Sequence, residues 1–512
     1  MDTLRSIPTF LPGKIDLETY GPREIHVVHV VAFLLPISYL LLVFLQRQKN
    51  VKAPLLASEL DEGSRKKKFT FQCLELLQDG YEKAKAGLSM YRVTTSDGSE
   101  EVLLNHKYLK ELKELPDDCL NFIEAIRIST VGDYSTITSS SAEHMAHVVK
   151  SDLTPSLPKL VPALVEEVDL SIERAFPKCE DWTVVKMNKM MLDIIPQISA
   201  RIFVGEPLCR DLRWIELSRD YTLEAFAASR AIKPWHPWLR PFVYRFLPEI
   251  RVLHKTLAEA KEFMTKVAID RGSNTKKDNV MFDWMKARSP AGYETDYKRQ
   301  AMAQVSLSLA AIHTTSMAST HMLYDLAAHP EIIEELREEL EVAMAETNGL
   351  NKDTLPKLKK MDSFMKESQR ANPSGLTTFK RLVTKDITLK DGTFLPKGVI
   401  INVDSSMRYM DSALYEDPEE FDAWRYLRLR EQTGSSSHHQ FVSSNPESLF
   451  WGQGRHACPG RFFANSEIKV VLARLLLKYD LTAVGGLRPK NMVFGTSVSP
   501  NPEGEVFMKA RG

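Results

Sequence analysis

Cysteine is scarce in this sequence, and neither sign of charge is in excess. Only five cysteines occur among 512 residues, an odd number without the spacing of a zinc site. This argues against a disulfide framework and favours a reducing compartment. The 67 basic residues balance the 67 acidic ones, so the composition indicates no nucleic-acid partner. With 43% hydrophobic residues, the chain is long and apolar enough for a large globular core.

Long hydrophobic runs are also rare, and the clearest one spans residues 25–45. A transmembrane helix needs about 20 mostly apolar residues, and this run provides them. Pro36 lies inside the run, where such a helix tolerates proline. A cleaved signal peptide would be shorter, would begin earlier and would end at a small-residue cleavage site. The run therefore predicts a transmembrane anchor helix.

The flanks of this run predict its orientation. Basic residues are denser after it, at 47–52 and 65–68, than before it. The positive-inside rule then places residues 1–24 on the far side of the membrane from the cytosol. Residues 46–68 are predicted to form a basic tether, which either contacts anionic lipid head groups or is a solvated linker. Residues 69–512 are expected to form the globular domain, on the cytosolic side.

The pattern after residue 69 is mainly helical. Alternating residues on both sides of a turn at 96–99 predict a hairpin, and two more short strands are expected around Asp391-Gly392. Helices are expected at 144–150, 160–176, 186–204, 212–232, 248–271, 296–329, 330–346 and 361–371. The predicted class is a mainly α protein with small β-sheets.

One of the five cysteines, Cys458, has a distinctive setting. It lies between a glycine-rich stretch and Pro459-Gly460, directly before an apolar-periodic run from Phe462 to Leu477. This layout predicts a thiolate at a helix N-terminus, where backbone N–H groups and the macrodipole stabilise a negative sulfur. A cysteine thiolate is one of the axial ligands of haem iron. The alternative is a buried structural cysteine.

This stretch resembles the haem-binding signature of the cytochrome P450 family, Phe-x-x-Gly-x-Arg-x-Cys-x-Gly. Cys458, Gly454 and Gly460 match it, while Trp451 stands where the family usually has Phe and His456 where it usually has Arg. A Trp ring still packs beside the sulfur, and a His still donates to a haem propionate. The resemblance implies the cytochrome P450 fold with one N-terminal transmembrane helix, and haem b with Cys458 as its metal ligand.

The long helix predicted at 296–329 carries a second match. Family members have a small-Gly-x-acid-Thr motif in a helix that passes over the haem, and Thr314 matches its threonine. The resemblance implies that Thr314 helps hold dioxygen and deliver protons to it, the alternative being ordinary bonding to the preceding turn. His313 stands where the family has an acid, and Ala311 where it has Gly. His313 either relays protons or only hydrogen-bonds to backbone.

A third set of matches concerns the scaffold around the haem. Glu367 and Arg370 match the family's Glu-x-x-Arg, in which residues i and i+3 share one helix face. Arg425 matches their third partner, which lies in a loop before the cysteine. The resemblance implies that these three side chains pair and brace the loop of the thiolate.

Haem carries two carboxylates, which need cationic or donor partners. The resemblance implies that Arg381 binds a propionate and that His456 donates to one. Lys150 stands where an arginine of an earlier helix usually has the same role, with Ala146 in place of the usual Trp. The alternative for Lys150 is an exposed lysine.

The implied activity is monooxygenation. The resemblance implies that NADPH supplies electrons through NADPH–cytochrome P450 reductase, with cytochrome b5 as a further donor in some members, and that O2 supplies the oxygen atom for a C–H or C=C bond. The motifs are similar to those of fungal endoplasmic-reticulum enzymes of diterpene, indole-diterpene and meroterpenoid biosynthesis. This likeness implies the endoplasmic-reticulum membrane as location, with a lumenal segment 1–24, and a bulky apolar substrate.

Substrate contacts are expected from four segments. They lie around Ser308 and Ile312, at Gly375–Phe379, at Gly495–Val498 and in the region Cys119–Thr138. The proline- and tryptophan-rich segment Pro234–Phe242 cannot continue a helix. It is either a buried turn or, by resemblance, the part of the fold that dips into the membrane beside the substrate entrance.

Two other functions stay open at this point. One is a haem-thiolate isomerase or dehydratase without net oxidation, for which the loss of the acid at position 313 would be natural. The other is a membrane-anchored haem-binding protein without turnover, against which Thr314 argues. Consumption of NADPH in the presence of the reductase separates the first from a monooxygenase.

Overall fold

The structure, a computed structural model, describes residues 51–137, 142–272, 279–293, 295–432 and 437–512. Contacts divide the chain into residues 1–52 and residues 53–512, and everything below concerns the second unit. The predicted lumenal segment and the predicted anchor helix lie outside the described residues. Among the helices of the described ranges, none is both long enough and apolar enough to cross a bilayer.

Helices form most of the domain, as the sequence predicts. In chain order they are α1 Glu62–Phe71, α2 Cys73–Lys85, α3 Leu109–Leu112, α4 Phe122–Thr130, α5 Gly132–Ser135, α6 Ala142–Val148, α7 Thr154–Ala175, α8 Met187–Phe203, α9 Leu212–Ile232, α10 Arg240–Val243, α11 Pro248–Gly272, α12 Met281–Ala287, α13 Tyr297–Ala328, α14 Pro330–Thr347, α15 Lys359–Ala371, α16 Ser406–Tyr409, α17 Arg425–Gln432 and α18 Arg461–Lys478. A π-helical stretch, Val149–Leu153, joins α6 to α7.

The strands are short and form small sheets. They are β1 Met90–Thr94, β2 Glu100–Leu104, β3 Leu120–Asn121, β4 Thr183–Lys186, β5 Thr377–Val383, β6 Ile387–Thr388, β7 Phe394–Leu395, β8 Ile400–Asp404, β9 Tyr479–Ala483, β10 Met492–Phe494, β11 Ser497–Ser499 and β12 Glu505–Ala510. The largest sheet has the order β1-β2-β8-β5-β3, and the others are β4-β12-β9, β10-β11 and β6-β7. The predicted hairpin is confirmed, with Met90 opposite Leu104.

The predicted helix boundaries hold within one residue even for α8, which contains Pro196. α9 begins and ends at the predicted residues. α7 begins earlier than predicted, at Thr154, and contains Pro158 and Pro162. The first turn tolerates Pro155, but Pro158 and Pro162 lie inside the helix, where each removes one backbone hydrogen-bond donor. The prolines were therefore a poor guide to where this helix starts.

The end of the predicted tether belongs to the domain instead. α1 begins after Asp61, whose side chain accepts the Ser64 N–H at 3.0 Å. Arg65, the first residue of the basic cluster, donates to the Thr94 hydroxyl at 3.0 Å. Leu55 pairs with Arg92 of β1. Residues 53–68 thus pack on the domain, because Leu55 and Arg65 bind them to β1.

Two long helices position the centre of the domain. α13 packs against α8, α9 and α11, and α18 packs against α7 and α13. The middle of α13 contains Thr314, and Cys458 lies shortly before α18. The fold therefore brings two segments that are far apart in sequence to the same core.

The segment between α9 and α11 is exposed. Phe242 and Phe246 retain 69% and 72% of their accessible surface, and Trp235, Trp238 and Leu239 are exposed as well. The expectation of a buried turn is therefore wrong, because these apolar side chains face away from the core.

Candidate functional site

Cys458 lies at the N-terminal end of α18. This helix begins at Arg461, with Gly460 as its N-cap. Burial raises the pKa of the Cys458 thiol, while backbone N–H groups of Gly460 and Arg461 at the sulfur lower it in part. The predicted placement before a helix is confirmed. Burial favours the neutral thiol, and a cation bound to the sulfur would reverse this preference.

The loop before Cys458 has a backbone that requires glycine. Gly454 has φ +67°, and a Cβ there would lie 3.0 Å from the Lys113 carbonyl oxygen. The Cys458 N–H donates to the Trp451 carbonyl at 2.6 Å, and the Trp451 indole N–H donates to the Phe441 carbonyl at 2.6 Å. The loop is thus closed on itself and tied to the preceding segment.

Glu367, Arg370 and Arg425 meet as the sequence predicts. The Glu367 carboxylate accepts two hydrogen bonds from Arg370, at 2.7 and 2.9 Å, and two from Arg425 Nε, at 3.2 and 3.3 Å. All three side chains are buried. Both guanidinium groups also donate to backbone carbonyls in the segment 416–420. The carboxylate thus accepts three side-chain N–H groups, of which Arg425 Nε–H is shared between its two oxygens, and this compensates well for its loss of water.

Tyr409 connects this cluster to the cysteine loop, and sequence reasoning did not find it. Arg370 donates to the Tyr409 carbonyl at 3.0 Å. The Tyr409 hydroxyl accepts the Leu449 N–H at 2.7 Å, and its ring stacks on Phe450 with centroids 4.2 Å apart. The charged cluster therefore supports the cysteine loop through one residue, Tyr409, whose backbone meets the cluster and whose side chain meets the loop.

A cavity of about 640 Å³ lies between α13 and the cysteine loop. Cys458 and Thr314 both line it. The rest of the lining is largely apolar and includes Ile123, Leu153, Phe203, Leu307 and Phe463. The Thr314 hydroxyl lies 2.9 Å from the Ala310 carbonyl and 3.1 Å from the Ala311 carbonyl. The structure therefore brings the predicted thiol and the predicted hydroxyl to one apolar chamber.

His313 is turned away from this cavity. Its Nε2 lies 2.9 Å from the Arg219 carbonyl oxygen on α9, and the ring is not part of the cavity lining. Burial lowers the pKa of His313. One of the two alternatives for His313, a hydrogen bond to backbone, is therefore present. The carbonyl involved belongs to the neighbouring helix α9.

Two of the three predicted propionate-binding residues lie at one edge of the cavity. Lys150 and His456 line it, and Lys150 is exposed. Arg381 is buried beside the rings of Phe122 and Phe379, with its guanidinium carbon 5.1 and 4.3 Å from their centroids. Burial lowers the pKa of Arg381 to about 10. Within the described ranges, no carboxylate forms an ion pair with Arg381.

Asp117 is a member of this edge that the sequence did not reveal. Its Oδ1 lies 2.6 Å from His456 Nε2, and its Oδ2 lies 3.4 Å from Arg455. Burial raises the pKa of Asp117, but the hydrogen bonds from His456 and Arg455 outweigh burial and lower it overall. Asp117 follows Pro116 in a loop without a periodic pattern, so no sequence signal distinguishes it from Asp118.

Two of the expected substrate segments come together. Gly375 pairs with Ser497, and the Leu376 N–H donates to the Thr496 carbonyl at 2.8 Å. By contrast, Ser308 and Ile312 are buried in α13 and are not part of the cavity lining, in which Leu307, Ala310 and Ala311 take their place. The residues of α13 that line the cavity are therefore close neighbours in sequence of the expected ones.

Sequence comparison identifies relatives over almost the whole chain. The family described as Cytochrome P450 matches residues 129–508. Cytochrome P450 monooxygenase AN1598 of Emericella nidulans is 33% identical and covers 99% of this chain and 95% of its own. Cytochrome P450 monooxygenase penP of Penicillium crustosum is 34% identical over 95% and 96% of the two chains. Cytochrome P450 monooxygenase braC of Annulohypoxylon truncatum is 36% identical over 91% and 94%.

A solved structure supports the fold independently. The cyanobacterial CYP120A1 with bound retinoic acid superposes with a TM-score of 0.64 over 84% of this chain and 94% of its own. The two sequences are 18% identical, so this likeness concerns the fold alone.

Proposed function

The chain belongs to the cytochrome P450 family, and from this premise we propose that it is a membrane-anchored monooxygenase for bulky apolar terpenoids. Members of the family are monooxygenases that bind haem through a cysteine thiolate and use O2, a redox partner and electrons derived from NADPH. The haem, when bound, supplies the oxidation of an unactivated C–H or C=C bond. The protein supplies the ligand, the shape of the chamber and the handling of protons.

The residues of the site fit haem. Cys458 lines a chamber that is large and mostly apolar. Arg381 is a buried cation for which the described residues offer no ion-paired carboxylate, as expected where a propionate completes the site. We assign the iron to Cys458 and the propionates to Arg381, Lys150 and His456. Gly454 and Trp451 shape the loop beside the sulfur, and Asp117 orients the His456 ring.

Thr314 has the geometry of a residue that holds a proton in the chamber. Its one O–H proton is directed to the Ala310 or the Ala311 carbonyl. A threonine hydroxyl has two lone pairs, which stay available to accept a hydrogen bond from water or a ligand in the chamber. Thr314 can therefore hold water or a ligand at this point of the chamber while its own proton stays bonded to a backbone carbonyl.

Apolar residues from three helices support an apolar substrate. Leu307 of α13, Ile123 of α4 and Phe203 of α8 all line the chamber. The motif resemblance to terpenoid-modifying enzymes narrows this class to a diterpene, an indole-diterpene or a meroterpenoid. Such a substrate enters a chamber of this composition because burial of its apolar surface is favourable.

Membrane attachment is supported by two separate features. The run at 25–45 has the composition of an anchor helix, and the segment between α9 and α11 exposes Trp235, Trp238 and Phe242. Tryptophan favours the membrane–water interface. We propose a single-pass protein of the endoplasmic-reticulum membrane that receives electrons from NADPH–cytochrome P450 reductase, with cytochrome b5 as a second donor.

The presence of Cys458 and Thr314 in one apolar chamber carries this proposal. The full chain, expressed with its reductase, should give the long-wavelength carbon monoxide band of a thiolate-ligated haem and should convert a member of a terpenoid panel with consumption of NADPH. Cys458→Ser should lose the band. Thr314→Ala should keep it and divert electrons to hydrogen peroxide. Conversion without NADPH would refute the proposal and indicate an isomerase, and haem binding without conversion of the panel would refute the terpenoid class.

A further inference from the structure

Arg461 lies next to the cysteine that we assign as the iron ligand. It is the first residue of α18 and is half-buried. Its Nη1 donates to the Cys458 carbonyl oxygen at 2.8 Å. The backbone N–H of Arg461 also lies at the Cys458 sulfur. One residue thus binds the cysteine through both its side chain and its main chain.

The side chain of Arg461 is not part of the chamber. Gly460, Phe463 and Ala464 line the chamber, whereas Arg461 does not. The guanidinium carbon of Arg461 instead lies 4.4 Å from the centroid of the neighbouring Phe462 ring. A planar guanidinium group that stacks on an aromatic ring has a defined orientation. Arg461 is therefore placed to act on the cysteine and not on a substrate in the chamber.

The positive charge of Arg461 has no carboxylate partner within the described ranges. No acidic side chain there forms an ion pair with it, and its buried Nε has no acceptor among the same residues. Burial lowers the pKa of Arg461, and the Cys458 sulfur raises it in part. Cations that are withdrawn from water are as a rule paired with an anion. The Cys458 thiolate, which forms when the thiol loses its proton to bind iron, is the anion that this geometry provides.

The guanidinium group is close enough to the sulfur for its charge to have an effect. The carbonyl oxygen and the sulfur of one cysteine are about 3–5 Å apart, because three carbon atoms join them. With the hydrogen bond of 2.8 Å, Arg461 Nη1 lies no more than about 8 Å from the Cys458 sulfur. Over this distance, a unit charge in a protein changes an equilibrium constant by about tenfold or more.

We propose that Arg461 is a positioning residue that sets how readily the haem accepts an electron, through its charge beside the Cys458 thiolate. The electron comes from the redox partner, and no bond forms or breaks in this step. One added electron makes the iron and its thiolate ligand more negative, so a nearby cation stabilises the reduced form more than the oxidised form. The inference rests on the proposed ligation of haem by Cys458.

A structural role alone would not require a charge at position 461. Three substitutions therefore separate the charge from the hydrogen bond. Arg461→Lys keeps the charge, and Arg461→Gln keeps a side-chain N–H donor but is neutral. Arg461→Met keeps an unbranched side chain and removes both. If the hydrogen bond to the Cys458 carbonyl were the whole function, the glutamine variant would resemble the wild type.

Redox titration of the haem-loaded full chain, without reductase or substrate, measures the effect. At a fixed applied potential, the ratio of reduced to oxidised haem should fall by about tenfold in Arg461→Gln and Arg461→Met, which is a shift of about 59 mV in the midpoint. Arg461→Lys should stay within about twofold of the wild type. Arg474→Gln is the matched control and should not change the ratio. Arg474 belongs to the same helix, pairs with Asp169 and lies about 20 Å farther along the axis.

Infrared spectroscopy of the carbon monoxide complex gives a second readout. Without the cation, more electron density of the thiolate reaches the iron, and from there the bound carbon monoxide. The C–O stretch should therefore move to lower frequency in Arg461→Gln and Arg461→Met, while the long-wavelength absorption band of the thiolate-ligated haem is kept. A cysteine loop that had only loosened would lose this band, as Cys458→Ser does.

A lower reduced fraction and a lower C–O frequency in the two neutral variants, with near wild-type values in Arg461→Lys, support the proposal. Wild-type values in Arg461→Gln overturn it, because the hydrogen bond then accounts for Arg461, and equal changes in Arg461→Lys and Arg461→Gln overturn it as well. If Arg461→Met does not bind haem, the comparison of the other two variants still decides. Failure to convert a terpenoid leaves these measurements valid, whereas a wild type without the thiolate band refutes both proposals.

Discussion

Replacing Arg425 by alanine removes one of the two guanidinium groups that hold the buried Glu367 carboxylate. Arg425 Nε lies 3.2 and 3.3 Å from the two carboxylate oxygens. The same side chain donates to the carbonyls of Asp417 and Glu420, each at 3.2 Å. The substitution thus leaves a buried anion with half of its cationic partners and several carbonyls without donors.

The expected loss of stability depends on which contacts of Glu367 the substitution leaves in place. Removing one partner of a buried ion pair typically costs about 3–5 kcal/mol. Arg370 still binds Glu367 through two hydrogen bonds, which limits the loss, whereas the unpaired carbonyls add to it. We therefore expect Arg425→Ala to lower the free energy of unfolding by about 3–4 kcal/mol. Loss of Arg425 also loosens Glu367 and its other partner, Arg370, which supports Tyr409 and the cysteine loop. The variant should therefore lose haem before it loses helical signal.

A matched control lies one helical turn away. Arg428 of the same helix pairs with Asp422, but its side chain is 54% exposed, so Arg428→Ala should cost at most about 1 kcal/mol. Both variants are compared by urea unfolding at equal haem saturation, since bound ligand adds to apparent stability. If Arg425→Ala costs no more than Arg428→Ala, the ion pair between Arg425 and Glu367 does not stabilise the fold.

Three further predictions address single contacts. Glu467 of α18 is buried, and burial raises its pKa from 4.5 to about 8. The unfolded chain therefore loses this proton at a lower pH than the folded chain, so the free energy of unfolding falls as the pH rises between these values. Glu467→Gln should be spared about 2–3 kcal/mol of this loss between about pH 5 and pH 7, and parallel pH profiles of the two proteins in urea unfolding would contradict this. Gly454→Ala combines a positive φ with a Cβ 3.0 Å from the Lys113 carbonyl, so it should lower haem content at an unchanged helical signal, with Gly292→Ala, which also has positive φ but open space, as control. Tyr409→Phe leaves the buried Leu449 N–H without its acceptor and should cost about 1–3 kcal/mol, with faster hydrogen exchange at Leu449 as the specific readout.

The parts of the site that sequence reasoning found are those in which function fixes both residue type and spacing. Glu367 and Arg370 share a helix face because they are three residues apart, and the structure pairs them as expected. Cys458 precedes a helix because Pro459-Gly460 ends the loop and an apolar period follows. Such features depend on residues that are close in sequence, so the local sequence pattern predicts them.

The parts that it missed depend on which distant elements face each other. Asp117, Tyr409 and Glu467 lie in unremarkable local sequence, and each gains its role from a partner on another element. The tether was predicted too long for a related reason. The basic cluster at 65–68 resembles a linker until Asp61 and Thr94 are seen to anchor α1 on the domain. The sequence pattern of one segment does not predict which side chains the facing segment places against it.

Residues 313–315 illustrate how this limit arises. Successive residues of an α-helix point about 100° apart, so neighbours in sequence can face different surroundings. In α13, His313 meets the Arg219 carbonyl on α9, whereas Thr314 and Thr315 line the chamber. A carboxylate at 313 would face a carbonyl oxygen and repel it, whereas a histidine N–H can donate to it. The packing of α9 thus favours histidine at 313, which gives the departure from the family motif at this position a structural reason.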